Sequence, residues 1–296
     1  MTIPVIGFVG FGEAAQCFAA HLAAQGAPPM PVFCDGPTNH PPYSAGFRAK
    51  AASLGAEPVD SLAALMERAE VVFSAVVVAT AAPVGRAIGA LARPGMLVVD
   101  VNASTPHAKK QAAEACRDAA FVDANLMGAV GLYGAKVPLY CSGGGTARFR
   151  QLFAPLGFSI EDAGPEPGTA AAVKMLRSVV TKGIEALVME AMTAATLAGV
   201  RPEALRGICG PMDATSFSSF LDMCVRTDVL HAERRAVEME GVADGLREMG
   251  VPPLMTDATV ARLRASAALG LRADFAARPA YDAAAVLDAY AAVMRG

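Results

Sequence analysis

The stretch Gly7-Phe8-Val9-Gly10-Phe11-Gly12-Glu13-Ala14-Ala15 decides the fold, and it lies close to the start of the chain. It has the spacing G-x-G-x-x-A, directly after an apolar run and directly before an Ala-rich helical pattern. The glycines permit a tight turn and a close approach of backbone amides to a pyrophosphate, which then faces the helix N-terminus. A structural turn is the alternative to a nucleotide site. The residues that we predict to bind a dinucleotide are Gly10, Phe11, Gly12, Glu13, Ala14 and Ala15.

Downstream of this turn, short apolar runs alternate with Ala-rich helical patterns as far as about Asp162. Such alternation predicts an α/β Rossmann domain, with a parallel, doubly wound sheet covered by helices on both faces. The run Val71–Val78 is almost continuously apolar, as expected of a strand buried on both faces. The other predicted strands are Val5–Val9, Val32–Cys34, Met96–Val101, Phe121–Asn125, Pro138–Ser142 and Phe158–Glu161.

The segment Gly164-Pro165-Glu166-Pro167-Gly168 is the clearest boundary in the chain, because its prolines and glycines continue neither a strand nor a helix. We therefore predict a dinucleotide-binding domain over 1–164 and an all-helical substrate and dimerisation domain over 165–296. Thr169 is an N-cap candidate for a long helix that reaches Ala198. No strand pattern follows it, and the later helical patterns are Ala204–Ile208, Ser216–Arg226, Leu230–Met249, Thr256–Leu269 and Ala280–Met294.

Composition excludes several classes of function. The formal net charge is -3 and basic residues occur as pairs rather than tracts, so we expect no nucleic-acid partner. Glycines and prolines interrupt the apolar N-terminal region, so we expect neither a signal peptide nor a membrane helix there. The six cysteines form no CxxC and the four histidines have no metal-site spacing. These features favour a reduced, cytoplasmic protein without a bound metal.

Asp35 stands where the second predicted strand ends. A carboxylate at this point accepts hydrogen bonds from the adenosine ribose and repels a 2′-phosphate, which favours NAD over NADP. NADP stays possible, because Arg48 and Lys50 follow in the next segment and can fold back to hold a phosphate. The structural alternative is that Asp35 only caps the turn at Gly36-Pro37.

Four further motifs carry a resemblance to a known family. They are Asp100–Pro106, Phe121–Ala129, Ser142-Gly143-Gly144 and the pair Gly168 and Lys174. In this order they resemble the β-hydroxyacid dehydrogenase superfamily, which includes 6-phosphogluconate and 3-hydroxyisobutyrate dehydrogenases and the related imine reductases. The resemblance extends from Ile3 to about Leu197. Beyond it, the chain is similar to the phosphogluconate-dehydrogenase-like branch that carries a C-terminal domain of unknown function.

The resemblance implies roles for particular residues. Asn102 matches an asparagine beside the nicotinamide, Val76-Val77 matches the loop over the adenosine, and Lys174 matches the catalytic lysine. Where the family has an asparagine four residues after that lysine, this chain has Ser178, with Arg177 beside it.

The substrate-carboxylate loop of the family usually reads D-A-P-V-S-G-G. Here Asn125 replaces the proline, Met127 replaces the serine and Ala129 replaces the second glycine, while Gly128 is kept. We expect Asn125, Met127 and Gly128 to contact a substrate whose shape or charge differs from that of the usual family substrates.

The implied activity is hydride transfer between a nicotinamide and a small β-hydroxy acid, with Lys174 as the general acid and base and with Asn102 and Ser178 positioning the oxygen. Lys174, Ser178 and Lys182 share one face of the predicted helix. Lys182 is a candidate substrate contact or a simple ion-pair partner of Glu185. The alternatives are an imine or ketone reductase, in which this lysine is typically absent, and a dinucleotide-binding redox sensor without turnover.

His231 and Arg235 lie one turn apart in a predicted helix, so they can grip an anionic group together. The other interpretation is a solvated helix face on which Glu233 or Glu238 pairs with the arginines. The resemblance and the long apolar helix after Thr169 also imply a homodimer.

Overall fold

The structure is a computed structural model that describes residues 2–295. These residues form two compact units, here called the first unit, which ends at Ser178, and the second unit, which begins at Val179. The division lies inside a helix and not at the Gly164–Gly168 linker.

The first unit contains one eight-stranded sheet, in the order β3-β2-β1-β4-β5-β6-β7-β8. Every neighbouring pair is parallel except β6 and β7, which are antiparallel. This arrangement confirms the predicted doubly wound Rossmann sheet, with one antiparallel pair that the sequence did not predict. The strands are β1 Ile6–Val9, β2 Met30–Phe33, β3 Ala56–Pro58, β4 Val71–Ser74, β5 Leu97–Asp100, β6 Ala120–Leu126, β7 Leu139–Ser142 and β8 Ile160–Asp162.

Helices cover both faces of the sheet, and a separate apolar core lies on each face. Phe8, Phe18 and Phe73 belong to one core, whereas Leu65 and Val98 belong to the other. The helices of this region are α1 Glu13–Ala24, α2 Ala45–Ala52, α3 Leu62–Arg68, α4 Val78–Leu91, α5 Pro106–Ala115, α6 Val130–Tyr133 and α7 Thr146–Phe153. A long helix, α8 Thr169–Leu197, follows β8 and continues into the second unit.

The predicted strand Val71–Val78 is too long. β4 ends at Ser74, and the chain leaves the sheet at Val76 and Val77, where Val77 is the N-cap of α4. Ser74 is the one polar residue of the run, but Ala75 and three valines follow it, so the apolar pattern did not show that the strand ends there.

The second unit is helical throughout the residues described. A single helix, Phe217–Glu248, replaces the two helices predicted over Ser216–Arg226 and Leu230–Met249. The helices that follow α8 are α9 Arg201–Asp213, α10 Phe217–Glu248, α11 Leu254–Ala268, α12 Arg272–Ala277 and α13 Ala283–Arg295. Within residues 2–295, no helix has the length and apolar character needed to cross a bilayer.

Candidate active site

A row of buried polar side chains crosses the middle of the sheet. Ser74 is in register with Asp100, Asp100 with Asp123, and Asp123 with Ser142. All four residues are almost completely buried. Because residues in register point to the same face of a sheet, their side chains lie side by side. The row lies where the parallel strands β4 and β5 end, which is the side of an open α/β sheet at which ligands bind.

Gly10 makes the turn between β1 and α1. Its backbone has φ +86°, and its N–H donates to the Phe33 carbonyl at 2.8 Å. A Cβ at this position would lie 2.8 Å from the carbonyl carbon of Ala75. Conformation and contact therefore both require glycine at the first position of the fingerprint.

Gly12 is the N-cap of α1, and no side chain caps the helix there. No atom lies within 4 Å of the position that a Cβ would occupy. In the first turn Glu13 is exposed and Ala14 is half-buried, whereas Phe11 and Ala15 are buried against the sheet. A helix N-terminus of this kind binds a phosphate through backbone N–H groups, so these residues fit the pyrophosphate of a dinucleotide.

Asp35 is exposed at the end of β2, beyond Cys34. Tyr43 holds the strand end, because its hydroxyl accepts a hydrogen bond from the Cys34 N–H at 2.9 Å and lies 3.0 Å from the Cys34 carbonyl. Arg48 lies over the Tyr43 ring at 5.7 Å and is 3.9 Å from Asp60. The predicted phosphate-binding candidate Arg48 therefore already has partners on its own side of the sheet.

Asn102 follows β5 and is 3% exposed. Its Oδ1 accepts from the Val76 N–H at 2.7 Å, and its Nδ2 donates to Ser74 Oγ at 2.9 Å. The Asn102 amide thus bridges the ends of β4 and β5 and shapes the loop that carries Val76 and Val77. A contact with the nicotinamide stays a prediction.

Lys109 is a buried member of this polar row that sequence reasoning missed. It is 0% exposed, and its Nζ lies 3.0 Å from Asp100 Oδ1 and 3.2 Å from Asp123 Oδ1. In the sequence it looks like one half of the exposed pair Lys109-Lys110 on an amphipathic helix. Its position on the apolar side of α5, opposite two strand-end aspartates, was the available signal.

The start of α8 is hydrogen-bonded to the polar row. Asp123 Oδ2 accepts from the N–H groups of Gly168 and Ala171, each at 3.1 Å. Ser142 Oγ accepts from the Ala170 N–H at 3.1 Å. Lys174 is one turn further along this helix.

Lys174 is half-buried, and Arg177 beside it on the chain is exposed. The Ser178 hydroxyl donates to the Lys174 carbonyl at 2.9 Å, so its proton is used within its own helix. The predicted role of Ser178 in positioning a substrate oxygen stays a prediction.

The predicted substrate loop begins inside the sheet. Asn125 lies within β6, is 1% exposed and donates from Nδ2 to Asp123 Oδ1 at 2.8 Å. Met127 and Gly128 follow the strand and are half-buried. A Cβ on Gly128 would lie 2.9 Å from the Tyr133 ring, so this glycine makes room for α6. A ligand contact of these residues stays a prediction.

The other predicted substrate contacts belong to the second unit. Lys182 is exposed on α8, whereas His231 and Arg235 are half-buried on α10. Arg235 Nη2 donates to Thr227 Oγ1 at 3.0 Å, which places the guanidinium along the helix face that carries His231. Arg234 pairs with Glu238, as expected for one of the two arginines if this helix face is solvated.

Three buried cysteines of the first unit are not activated nucleophiles. Burial raises the pKa of the Cys34 thiol to about 11 and the pKa values of Cys116 and Cys141 to about 12. No group of three or more His, Cys, Asp or Glu residues within 2–295 has metal-binding geometry.

The fold and the glycine turn together define a protein with a Rossmann dinucleotide-binding fold followed by helices. Comparison with known proteins places it more closely. Residues 195–266 match the model of a domain of unknown function, DUF1932. A conserved hypothetical protein from Sinorhizobium meliloti is 30% identical, with a TM-score of 0.60 over 99% of this chain and 97% of its own.

The conserved protein MTH1747, described as structurally similar to 3-hydroxyacid dehydrogenases, is 31% identical, with a TM-score of 0.61 over 88% of this chain and 97% of its own. An imine reductase from Myxococcus stipitatus, solved as a variant with NAD+, has a TM-score of 0.74 at 17% identity, over 90% and 94% of the two chains. The chain therefore belongs to the 6-phosphogluconate-dehydrogenase-like family, in the branch with a C-terminal DUF1932 domain, and the family inferred from the motifs is confirmed.

Proposed function

We propose that this protein is an NAD(P)-dependent oxidoreductase that transfers hydride between a nicotinamide and a small β-hydroxy acid. Lys174 is the general acid and base in this proposal. The observation that carries it is the attachment of the start of α8 to Asp123 and Ser142. The same polar row holds Asn102 and the Val76 loop at the edge of the sheet where β1 makes its glycine turn.

In the oxidative direction, the Lys174 amine takes the proton of the substrate hydroxyl while the carbon–oxygen double bond forms. A bound nicotinamide would supply the hydride acceptor. Asn102 keeps the loop of Val76 and Val77 in place through its bond to the Val76 N–H. In this proposal the Ser178 hydroxyl, which donates to the Lys174 carbonyl without substrate, turns its proton to the substrate oxygen and holds that oxygen beside Lys174. In the reductive direction, Lys174 returns the proton.

The first turn of α1, from Gly12 to Ala15, binds the pyrophosphate in this proposal, and Asp35 binds the adenosine ribose. The exposed carboxylate of Asp35 favours NAD, and Arg48 already interacts with Tyr43 and Asp60. NADP is the second cofactor to test.

The substrate is a small acid in this proposal. The half-buried residues Met127 and Gly128, which follow Asn125 after the buried part of β6, contact its acidic end in this proposal, and Arg177 lies one turn along the helix from Lys174. The loss of the family serine at Met127 removes one hydroxyl donor, which favours a substrate other than the usual family ones.

The test is an assay of NADH and NADPH formation with a panel of β-hydroxy acids, and of the reverse reaction with the matching keto acids. Lys174→Ala should lower kcat by ~100-fold or more, because a positioned general acid or base contributes roughly that much. The affinity for NADH should change less than about twofold, since Lys174 does not hold the cofactor.

Lys136→Met is the matched control, since it removes an exposed lysine of the first unit that lies outside the proposed site. Turnover of Lys174→Ala within a few-fold of wild type would falsify the role of Lys174. Turnover of imines, or of ketones with amines, but not of hydroxy acids would favour a reductase. Cofactor binding without turnover on any of these would favour a redox sensor.

We also propose that the protein is a homodimer. Several large apolar side chains on the second-unit part of α8 are exposed, among them Val179 at 68% and Met189 at 63%. A contiguous exposed apolar surface on a helix usually marks an interface.

A further inference from the structure

We propose that Lys109 is the centre of a buried hydrogen-bonded frame that sets the position of the start of α8, and through it of Lys174, relative to the loop shaped by Asn102. The inference rests on the proposed function of Lys174. It concerns residues that this function does not use as catalysts, so we assign Lys109, Asp123 and Ser142 as positioning residues.

The first part of the frame anchors the helix. Asp123 Oδ2 accepts from two backbone N–H groups at the start of α8, and Ser142 Oγ accepts from a third. The Ser142 hydroxyl in turn donates to Asp123 Oδ2 at 3.2 Å. One carboxylate and one hydroxyl on neighbouring strands therefore satisfy three of the N–H groups that a helix start leaves without intrahelical partners.

The second part is the charge arrangement around Lys109. Its ammonium lies between two carboxylates and also donates to the Asp100 carbonyl oxygen at 2.7 Å. One lysine and two aspartates leave one net negative charge in the interior. The positive end of α8 faces Asp123, and it offsets that charge. The loss of Lys109 would leave two buried carboxylates without a counter-ion. The loss of either aspartate would leave buried backbone N–H groups without their acceptor, so each member of the cluster helps to hold the others in place.

The third part connects this cluster to the cofactor side. Asp100 Oδ1 accepts from the Asn102 N–H at 2.9 Å, and the Asn102 amide holds Val76 and Ser74. Gly168 approaches the start of α5 so closely that a Cβ would lie 2.7 Å from the Pro106 carbonyl oxygen. A continuous path of hydrogen bonds and ion pairs thus runs from Val76 through Asn102, Asp100, Lys109 and Asp123 to the helix of Lys174.

The sharpest test removes the anchor and leaves the charges in place. Ser142→Ala loses the hydroxyl that binds both Asp123 and the Ala170 N–H. Thr146→Val is the matched control, because Thr146 is equally buried and its hydroxyl has no hydrogen-bond partner among residues 2–295. Both variants remove one buried hydroxyl from the first unit, but only the first changes the frame.

The primary readout is the NMR signal of Lys174 after reductive ¹³C-methylation, assigned by its loss in Lys174→Arg. The chain has six lysines, so the spectrum is simple. We expect Ser142→Ala to shift this signal and its pH titration, and Thr146→Val to leave both unchanged. With a substrate from the panel, kcat should fall ~10-fold or more, because a 1 Å displacement costs up to about 100-fold. The KM for the cofactor should stay within about twofold.

If the Lys174 signal in Ser142→Ala matches that in Thr146→Val, whether both are unmoved or both are shifted, the proposal is wrong. Ser142→Cys keeps most of the volume with a weak hydrogen-bonding group, and it replaces Ser142→Ala if the alanine variant does not fold. The NMR result does not depend on turnover. If Lys174 is not the catalyst, Lys174→Ala should stay active, while Ser142→Ala should still shift the NMR signal of Lys174.

Discussion

Gly10 has a left-handed backbone and lies against Ala75, just beyond the end of β4, and both features require a glycine. Its φ is +86°, and the Ala75 carbonyl carbon lies 2.8 Å from where a Cβ would be. We expect Gly10→Ala to lower the free energy of unfolding by about 3 kcal/mol, from the backbone strain and the steric overlap together. NADH affinity should fall at least ~10-fold, because the turn must move away from the pyrophosphate.

Gly26→Ala is the control for Gly10→Ala. Gly26 has a similar φ of +84°, but no atom lies within 4 Å of a Cβ there. Gly26→Ala should lower the free energy of unfolding by about 1 kcal/mol and leave NADH binding unchanged. Urea unfolding and fluorescence titration with NADH measure both effects, and equal losses in the two variants would contradict the argument.

Asp35 is the residue at which cofactor preference should be decided. A carboxylate that accepts hydrogen bonds from the ribose hydroxyls contributes binding free energy that corresponds to about a tenfold gain in cofactor affinity. We therefore expect Asp35→Ser to lower the preference for NAD over NADP by ~10-fold or more, from weaker NAD binding and less repulsion of the 2′-phosphate. Dissociation constants for both cofactors test this, with Asp118→Ser, at an exposed site, as the control for net charge. An unchanged ratio would mean that Asp35 only caps its turn.

The glycine turn could be predicted because it is encoded locally, in one motif directly after one strand. The roles of Asp35 and Lys174 stay predictions. The burial of Lys109 could not be predicted, because it depends on the fold, which brings Asp100 and Asp123 to its ammonium group. A lysine beside another lysine on a helix normally indicates an exposed face.

At the scale of elements, Glu190 of α8 caps another helix of the second unit. Its carboxylate accepts from the N–H groups of Met255 and Thr256 at 2.7 and 2.9 Å, and from the Thr256 hydroxyl at 2.7 Å. Desolvation raises the pKa of Glu190, but the hydrogen bonds from Thr256 and the neighbouring backbone outweigh it, so the pKa lies below its ordinary 4.5. The N-cap residue of α11, Pro253, provides no side-chain cap of its own.

We expect Glu190→Gln to cost about 1–2 kcal/mol of unfolding free energy at neutral pH, as the loss of a helix cap does. A lowered folded pKa means that this stabilisation is present above the ordinary pKa of 4.5 and is lost as the pH falls through the folded value. The difference from wild type should therefore shrink below about pH 4. Glu185→Gln, on an exposed part of α8, is the control in urea titrations across this range. A difference that stays constant with pH would contradict the charged cap.

The type of each helix and strand could be predicted along most of the chain, whereas several of their boundaries, and the continuity of one helix, could not. The break predicted between Arg226 and Leu230 is absent, because Thr227 and Asp228 continue the helix, where the Thr227 hydroxyl donates to the Met223 carbonyl. Strand β3 is only three residues long and contains Glu57 and Pro58, so its apolar pattern is too short to be recognised. These are tertiary effects that outweigh local propensity.

At the scale of the whole molecule, the two units use different means of stability. The first unit buries aromatic side chains on both faces of a sheet, whereas the buried clusters of the second unit are small. The predicted domain boundary at 164/165 stays a prediction, because compactness divides the chain at Ser178. A helical region with a small core and many exposed apolar residues gains stability when it is covered by a partner.

If the protein is a homodimer, as we propose, light scattering or sedimentation should give a particle of twice the 30.3 kDa mass of one chain. Met189→Glu should weaken association at least ~30-fold, because a charge placed at the centre of an apolar interface costs about 2 kcal/mol or more. Met294→Glu is the matched control, since Met294 is a methionine of α13 with the same 63% exposure as Met189. If both variants dimerise as the wild type does, α8 does not form the interface. A monomeric wild type at micromolar concentration would instead leave these apolar side chains in water, where such a surface makes aggregation the expected behaviour.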